Sequence, residues 1–417
     1  MKDPQIQKLI KAELKRQKET LDLTASENMA STETLELLSS VLSNKYSEGY
    51  PDKRYYPGNI YADTVEKLAA SRALKLFKLS PEKWHVNMQP YSGSPANFAV
   101  YFALIEPGET IMGMKLADGG HLTHGHKVSA TGKIWKSVQY GVDPKTGMVD
   151  FKEVEALAKK HKPKIIVSGF TASPRTFEFK KFREIANKVG AYHMADMSHI
   201  AGLVAGGAHP SPFPWTDIVM TTTHKSLRGP RGAMIFASRE SRIAKKNKVD
   251  LPSAIDKAIF PGLQGGPHDN VTAAKAQAFF EALKPEFKIY ANQIVKNAKA
   301  LAKALTQKGF DLVSGGTDTH LILMDVRSMG VDGMEAEKRL EKVGIIANRN
   351  SVPGDPSPFK PSGVRLGTPS LTTRGMKEKD MNTVADLIHR AIKGDKQVKA
   401  EVLKLCKKFP GKQFLGK

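Results

Sequence analysis

Short apolar runs alternate with helical segments from about residue 51 to residue 275, which predicts strands and helices in turn. The clearest strands are Lys164–Phe170, Ala191–Asp196, Asp217–Thr222 and Gly232–Ser238. Alternation of this kind builds an α/β domain with a mostly parallel, doubly wound sheet. A small polar turn, Ser92 to Asn97, opens the apolar helical stretch Phe98–Ile105. Residues 273–308 read as strongly helical with a break near Pro285. They lead to a smaller α+β domain in which Thr319–Asp325 and Gly344–Ala347 are strands. Residues 1–50 predict an arm of one or two helices, and residues 351–361 form a loop rich in Pro and Gly. The expected organisation is an arm over 1–50, a large domain over 51–275 and a small carboxy-terminal domain over 276–417. No internal repeat or low-complexity tract interrupts it.

Composition narrows the class. A chain of 417 residues exceeds one ordinary core, which agrees with two domains. No apolar run reaches the ~20 residues that span a bilayer. The charged amino terminus has no apolar signal core, so secretion is not expected. Cys406 is the only cysteine, which excludes an intrachain disulfide and a thiolate metal cage and fits a reducing cytoplasm. The net charge of +22 is the unusual feature, with lysines dense over 8–18, 159–164 and 393–408. Such charge attracts polyanions, either RNA or the polyglutamate tail of a folate. A nucleic-acid footprint is a focused patch with stacking aromatics. The lysines here are scattered and no RNA-recognition motif is evident, which favours a lysine-rich solvated surface.

The chemistry gathers around one lysine. The strand Asp217–Thr222 runs into Thr223, His224 and Lys225, and a Gly/Pro-rich turn follows at once. Strand carboxyl ends of an α/β sheet point into the ligand crevice. A lysine held there and shielded from water has a lowered pKa and a nucleophilic amine, as attack on an aldehyde requires. One strand upstream, Asp196 stands at a strand end, where a carboxylate can pair with a protonated pyridine nitrogen. His199 follows, placed either over the same ring or against its phenolic oxygen. The turn Ser92-Gly93-Ser94 offers backbone N–H groups at a helix start, a place for phosphate. Alone it is equally a helix cap. Together the three features describe a site for pyridoxal 5′-phosphate (PLP).

At this point the chain resembles the serine hydroxymethyltransferases over nearly its whole length. The matching segments run from Leu23-Thr24-Ala25-Ser26-Glu27-Asn28 through Asn44 to Tyr56 and Ser92-Gly93-Ser94. They continue with Asp118 to Gly125, Asp196-Met197-Ser198-His199, the Lys225 segment, Phe260 to Pro267, Asn350 to Pro353, and Ser362 to Pro369. The resemblance implies a PLP-dependent, aminotransferase-like fold of type I. It implies reversible conversion of L-serine and tetrahydrofolate to glycine and 5,10-methylenetetrahydrofolate.

The resemblance also assigns residues. Lys225 carries PLP, Asp196 holds the pyridine nitrogen protonated, and His121 stacks on the ring. His199 and Thr171 reach the phenolic oxygen, while Thr222 and His224 flank the lysine and Arg231 braces its surroundings. Ser92, Gly93 and Ser94 take the phosphate. Arg365 is the fork for the substrate carboxylate, assisted by Ser26, because a guanidinium binds carboxylate bidentately. Glu48 is the acid/base near the serine hydroxyl. In the family the amino-terminal arm packs on a partner subunit. Tyr46, Glu48, Tyr56, Gly265 and Gly266 come from that partner, so a homodimer at least, and possibly a tetramer, is implied. Leu116, Gly119, Gly120 and Asn350, with Glu48, are implied for the folate. No metal and no membrane are expected.

Several positions depart from the family pattern. Ile60 stands in place of a usual glutamate, and Asp52 and Pro57 in place of usual glycines. The run Phe170 to Arg175 replaces the commoner Ser-Ala-Tyr, so a tyrosine ring is lost at Ser173. The loop between Pro353 and Phe359 is one residue short. These changes bear on substrate range and folate use, not on the lysine or the aspartate. Three other readings compete: a PLP aldolase acting without folate, a metal protein built on His121, His124 and His126, and an RNA-binding module.

Overall fold

The computed structural model describes residues 3–357, 360–411 and 414; Met1, Lys2 and Phe359 lie outside the described residues. The chain forms two compact units. One comprises residues 33–171 and 176–291, and the other residues 1–32, 172–175 and 292–417.

The first unit is built on a seven-stranded sheet. Its strands, in chain order, are β1 (Trp84–Asn87), β2 (Thr110–Met114), β3 (Lys136–Tyr140), β4 (Ile165–Gly169), β5 (Tyr192–Asp196), β6 (Ile218–Thr222) and β7 (Ala233–Ser238). Across the sheet the order is β1-β7-β6-β5-β4-β2-β3. The pairs β2–β3, β2–β4, β4–β5 and β5–β6 are parallel; only β7 runs against both its neighbours. Every residue of β4, β5, β6 and β7 is buried. Strands covered on both faces read as continuous apolar runs, which is why these four were visible in the sequence. β3 (Lys-Ser-Val-Gln-Tyr) is an edge strand exposed over its first two residues, and its polar composition hid it. The helix Phe179–Val189 lays Phe179, Phe182, Ile185 and Ala186 inward. It ends at Gly190, whose φ of 69° needs a residue without Cβ.

Registers bring the catalytic candidates together. Gly169 pairs with Asp196, and Asp196 with Met220, so the carboxyl ends of β4, β5 and β6 lie side by side. Asp196 and Thr222 are the last residues of their strands. The antiparallel step from β6 to β7 turns residues 223–232 into a hairpin loop carrying Lys225.

The second unit has its own core, with Leu21, Leu23, Leu301, Ile322, Leu340, Val364, Leu366 and Ile388 fully buried. Its four-stranded antiparallel sheet contains β8 (Asp311–Leu312), β9 (Leu321–Asp325), β10 (Asn348–Asn350) and β11 (Gly363–Gly367), in the order β8-β9-β11-β10. Residues 1–32, expected within an arm reaching residue 50, belong to this unit. The reason is local: Leu21–Asp22 pairs in parallel with Ile345–Ile346, and the Leu21 and Leu23 side chains are fully buried. The helix Pro4–Glu19 precedes that strand, begun by an Asp3 cap that accepts from Gln5 N at 2.8 Å. The helical stretch expected over 273–308 is two helices, Asp269–Ala282 and Pro285–Gln307, and Pro285 opens the second.

Candidate active site

The Lys225 loop is fixed by bonds at both ends. Thr223 N donates to Gly232 O at 3.0 Å, Gly229 N to Thr223 O at 2.7 Å, and the Thr223 hydroxyl to Pro230 O at 2.6 Å. The Ser226 hydroxyl donates to His199 O at 2.7 Å, tying this loop to the turn after β5. Lys225 is half-buried, and its Nζ donates to Thr222 Oγ1 at 2.9 Å. His224 is held largely out of water, which pushes its ring down to about 3, and the charges of Lys225 and Arg231 add to the effect. Its Nδ1 is buried without a hydrogen-bond partner. Arg231 itself is exposed.

Asp196 is the electrostatic centre. Burial alone would raise its carboxyl, but the hydrogen bonds from His124 and Ser198, with the His121 ring also close by, outweigh burial and hold it well below the usual range. Oδ1 accepts from Ser198 N at 3.1 Å and from the Ser198 hydroxyl at 2.6 Å. Oδ2 accepts from Asn97 Nδ2 at 3.0 Å and lies 3.1 Å from His124 Nε2. His121 sits next to this network, with Nδ1 2.7 Å from the Thr123 hydroxyl. Burial pushes His121 down to about 4, and the neighbouring His124 works in the same direction. His199 is buried one turn beyond Asp196.

The Ser92 turn meets the same place. Gly93 begins the helix Gly93–Leu104, and a Cβ there would lie 2.7 Å from Thr222 Cγ2. Ser92 makes no side-chain cap. The first intrahelical bond in this turn is Ala96 N to Ser92 O at 3.1 Å, and Pro95 has no N–H, so Gly93 and Ser94 carry the amides ahead of it. Opposite, Thr171 fastens the Gly119–Gly120 segment: its N donates to Gly119 O at 2.6 Å and its hydroxyl to Gly120 O at 3.0 Å. Gly120 tolerates no side chain, since a Cβ would lie 2.1 Å from Met114 O. Leu116 starts the short helical turn 116–118 that Gly119 closes.

Two further groups complete the sequence candidates. In the sheet unit, the rings of Tyr46 and Tyr56 meet edge to face at 5.2 Å. A Cβ on Gly265 would stand 3.1 Å from Glu48 Oε1, and one on Gly266 would stand 3.4 Å from the Tyr46 ring. In the other unit, Arg365 on β11 donates from Nε to Asn348 Oδ1 at 3.1 Å and from Nη2 to the Ser26 hydroxyl at 3.4 Å. Burial lowers its guanidinium to about 10. Asn350, on the paired strand β10, donates from Nδ2 to Ser351 O at 2.8 Å.

Sequence reasoning missed Asn97, Thr123 and Ser198 as partners of this network and gave His124 only a metal role. The three-histidine metal reading fails on geometry. His124 commits Nε2 to Asp196 and accepts from His121 N at Nδ1, while His126 accepts from Val128 N in the following turn. The signal that these two rings lie together was the spacing of His121 and His124, three residues apart in one helical turn.

The donor set fits PLP. A primary amine follows the strand next to the one that ends in a carboxylate held anionic, and a helix start bare of side chain abuts the threonine that binds the amine. A family model described as serine hydroxymethyltransferase matches residues 1–388. The chain belongs to the serine hydroxymethyltransferase family. A curated member of that family, a serine hydroxymethyltransferase from Koribacter versatilis (strain Ellin345), is 52% identical over 415 residues. The match covers 98% of this chain and 94% of that protein.

Three histidines buried as neutral rings make the fold of this family member acid-sensitive. His121 stands at about 4, His193 at about 3 and His224 at about 3, against 6.5 in an open chain, with burial the largest cause in each. Between those values and 6.5 the unfolded chain binds more protons, so the contribution is intact above 6.5 and lost as pH falls toward 3. The midpoint of thermal unfolding is expected to drop steadily below pH 6.5, and His193→Asn flattens that slope if it retains the Ser168 and Trp215 bonds.

Proposed function

We propose that the chain interconverts L-serine and tetrahydrofolate with glycine and 5,10-methylenetetrahydrofolate, using PLP. The observation that carries this reading is the amine of Lys225 on the Thr222 hydroxyl, at the same end of the sheet as the buried Asp196 carboxylate. Lys225 Nζ would hold the cofactor's aldehyde, Asp196 its pyridine nitrogen, and Ser92, Gly93 and Ser94 its phosphate. His121 would stack on the ring and His199 and Thr171 would contact its phenolic oxygen, while Thr222 and His224 flank the lysine. When bound, PLP supplies a ring that accepts electrons from the substrate Cα.

The chain's own residues do the rest. Asp196, held ionised, keeps a proton on the ring nitrogen. The Arg365 fork binds the serine carboxylate, and its burial makes that charge pair strong. Ser26 Oγ, already in reach of Nη2, orients the fork. Glu48 takes and returns the proton at the serine hydroxyl oxygen, lined by Tyr46 and Tyr56. Leu116, Gly119, Gly120 and Asn350 receive the folate. Arg365→Ala is expected to raise the serine KM by roughly 100-fold, the cost of removing one partner of a buried charge pair. It leaves the cofactor's visible band unchanged, and steady-state kinetics beside an absorbance spectrum check both.

We further propose a homodimer with shared sites, in the cytoplasm. Ile6, Leu9, Ile10 and Leu14 recur at helical spacing and are all exposed on the amino-terminal helix. Tyr55, Ile60 and Tyr61 are 75%, 76% and 81% exposed beside the Tyr46–Tyr56 pair. Apolar surface on this scale marks an interaction face. A verified monomer with full activity contradicts the dimer. Cys406 is buried and unpaired, as a reducing compartment permits. Among the described residues no helix is long and apolar enough to cross a membrane.

Glycine release from serine, measured with and without tetrahydrofolate, tests the reaction. Release that requires folate is expected. Equal release without folate replaces the reading with an aldolase.

A further inference from the structure

Lys275 lies on the helix Asp269–Ala282 and is 1% exposed. A lysine is almost never buried this completely without a partner for its charge. Its ammonium donates to three backbone carbonyls: Met88 at 2.7 Å, Ala233 at 2.8 Å and Pro90 at 3.4 Å. Pro90 O also accepts from Ala233 N at 3.2 Å. The carbonyl between them, Gln89 O, accepts from Gln264 Nε2 at 2.9 Å, and Gln264 Oε1 in turn accepts from Tyr91 N at 3.1 Å. The carbonyls of residues 88–90 are therefore all bound by side chains of the 264–275 segment. That stretch of backbone delivers Ser92 and Gly93 two and three residues later. On the other side, Ala233 follows Gly232, whose carbonyl accepts the Thr223 amide and closes the Lys225 loop.

One ammonium group is thus the node between two parts of the site that are far apart in sequence. Building on the PLP reading, we propose that Lys275 is a positioning residue for the cofactor. Its bonds to Met88, Pro90 and Ala233 hold the phosphate turn Ser92–Ser94 in register with the Lys225 loop. A helix packing role alone does not need a cation, and a methionine fills the same volume. Burial pushes the ammonium down to about 7 against the favourable charge of Glu66, so the group is held at a desolvation cost that packing does not explain.

The test compares PLP with pyridoxal, which lacks the phosphate. Dissociation constants for both are measured by absorbance titration on the wild-type protein resolved of cofactor and on two variants, with thermal unfolding of each. Lys275→Met removes the donor. Gly232→Ala keeps the lysine but places a Cβ 2.5 Å from Lys275 Cε, displacing the ammonium from its carbonyls. Both are expected to weaken PLP by about tenfold, the scale on which supporting groups act on a site, and to leave pyridoxal nearly unchanged. Hydrogen exchange is expected to quicken in residues 88–94 and 223–233. If Lys275→Met does not fold, Gly232→Ala decides. Variants that fold and bind PLP as tightly as wild type, or that lose PLP and pyridoxal equally, overturn the role of Lys275. A wild-type protein that takes up no PLP overturns the cofactor reading as well, so the two failures are told apart.

Discussion

Lys225→Ala is expected to lower serine turnover by on the order of 10⁴-fold or more, the scale seen when an active-site nucleophile is removed. The visible band of the lysine-bound cofactor disappears with it. Lys225 does two things that no neighbour replaces. Its amine supplies the nucleophile, and its place on Thr222 Oγ1 at 2.9 Å puts that amine at the strand end beside Asp196. Lys225→Arg keeps the charge but offers a guanidinium, which stays protonated and is not a nucleophile at neutral pH, so it is expected to be as inactive as alanine. The loop survives either change, because its own bonds run through Thr223, Ser226 and Gly229. Spectra, steady-state rates and thermal unfolding of the two variants check this together. Retained turnover in Lys225→Arg contradicts the assignment.

Asp196→Asn is expected to cost roughly 100-fold to 1000-fold in kcat, the range for losing one preorganised electrostatic partner of a reacting group. The carboxylate is fully surrounded by donors: Ser198 on Oδ1, and Asn97 and His124 on Oδ2. They stabilise the anion, so the negative charge is what the surroundings are built to hold. An amide at this position keeps the shape, presents an NH₂ group where His124 or Asn97 now approaches, and no longer holds a proton on a pyridine nitrogen. The effect falls on kcat more than on the serine KM, since Arg365, not Asp196, is the substrate's carboxylate partner in this account. An Asp196→Asn protein with unchanged kcat contradicts the role.

Legibility in the sequence followed burial. β4 to β7 were plain because both their faces are covered and their residues are continuously apolar. The edge strand β3 and the two-residue strand β8 carry too few apolar positions to register, whereas Ile345–Ile346 lies inside the strand expected over Gly344–Ala347. Lys225 was legible because a strand, a lysine and a Gly/Pro-rich turn are contiguous. The surroundings of Asp196 were legible only in part: Ser198 is two residues away, but Asn97 and His124 come from separate elements 99 and 72 residues off and only the fold brings them to the carboxylate. Lys275 was the least legible of all. Its helix reads as Thr-Ala-Ala-Lys-Ala-Gln-Ala, where a lysine looks like a solvated position. The small buried residues flanking it, Ala273, Ala274 and Ala276, were the available hint. The folding of residues 1–32 onto the second unit depends on Leu21 meeting Ile345, a contact across the chain that no local pattern announces.

The most direct test of the account is where the cofactor is attached. The purified protein is saturated with PLP, reduced with borohydride so that any lysine-bound cofactor becomes permanent, digested, and mapped by mass spectrometry. One pyridoxyl-bearing tryptic peptide is expected, running from Val189 to Arg228, with the modification on Lys225. A label on another lysine, or a protein that carries none, contradicts the site built from Lys225 and Asp196.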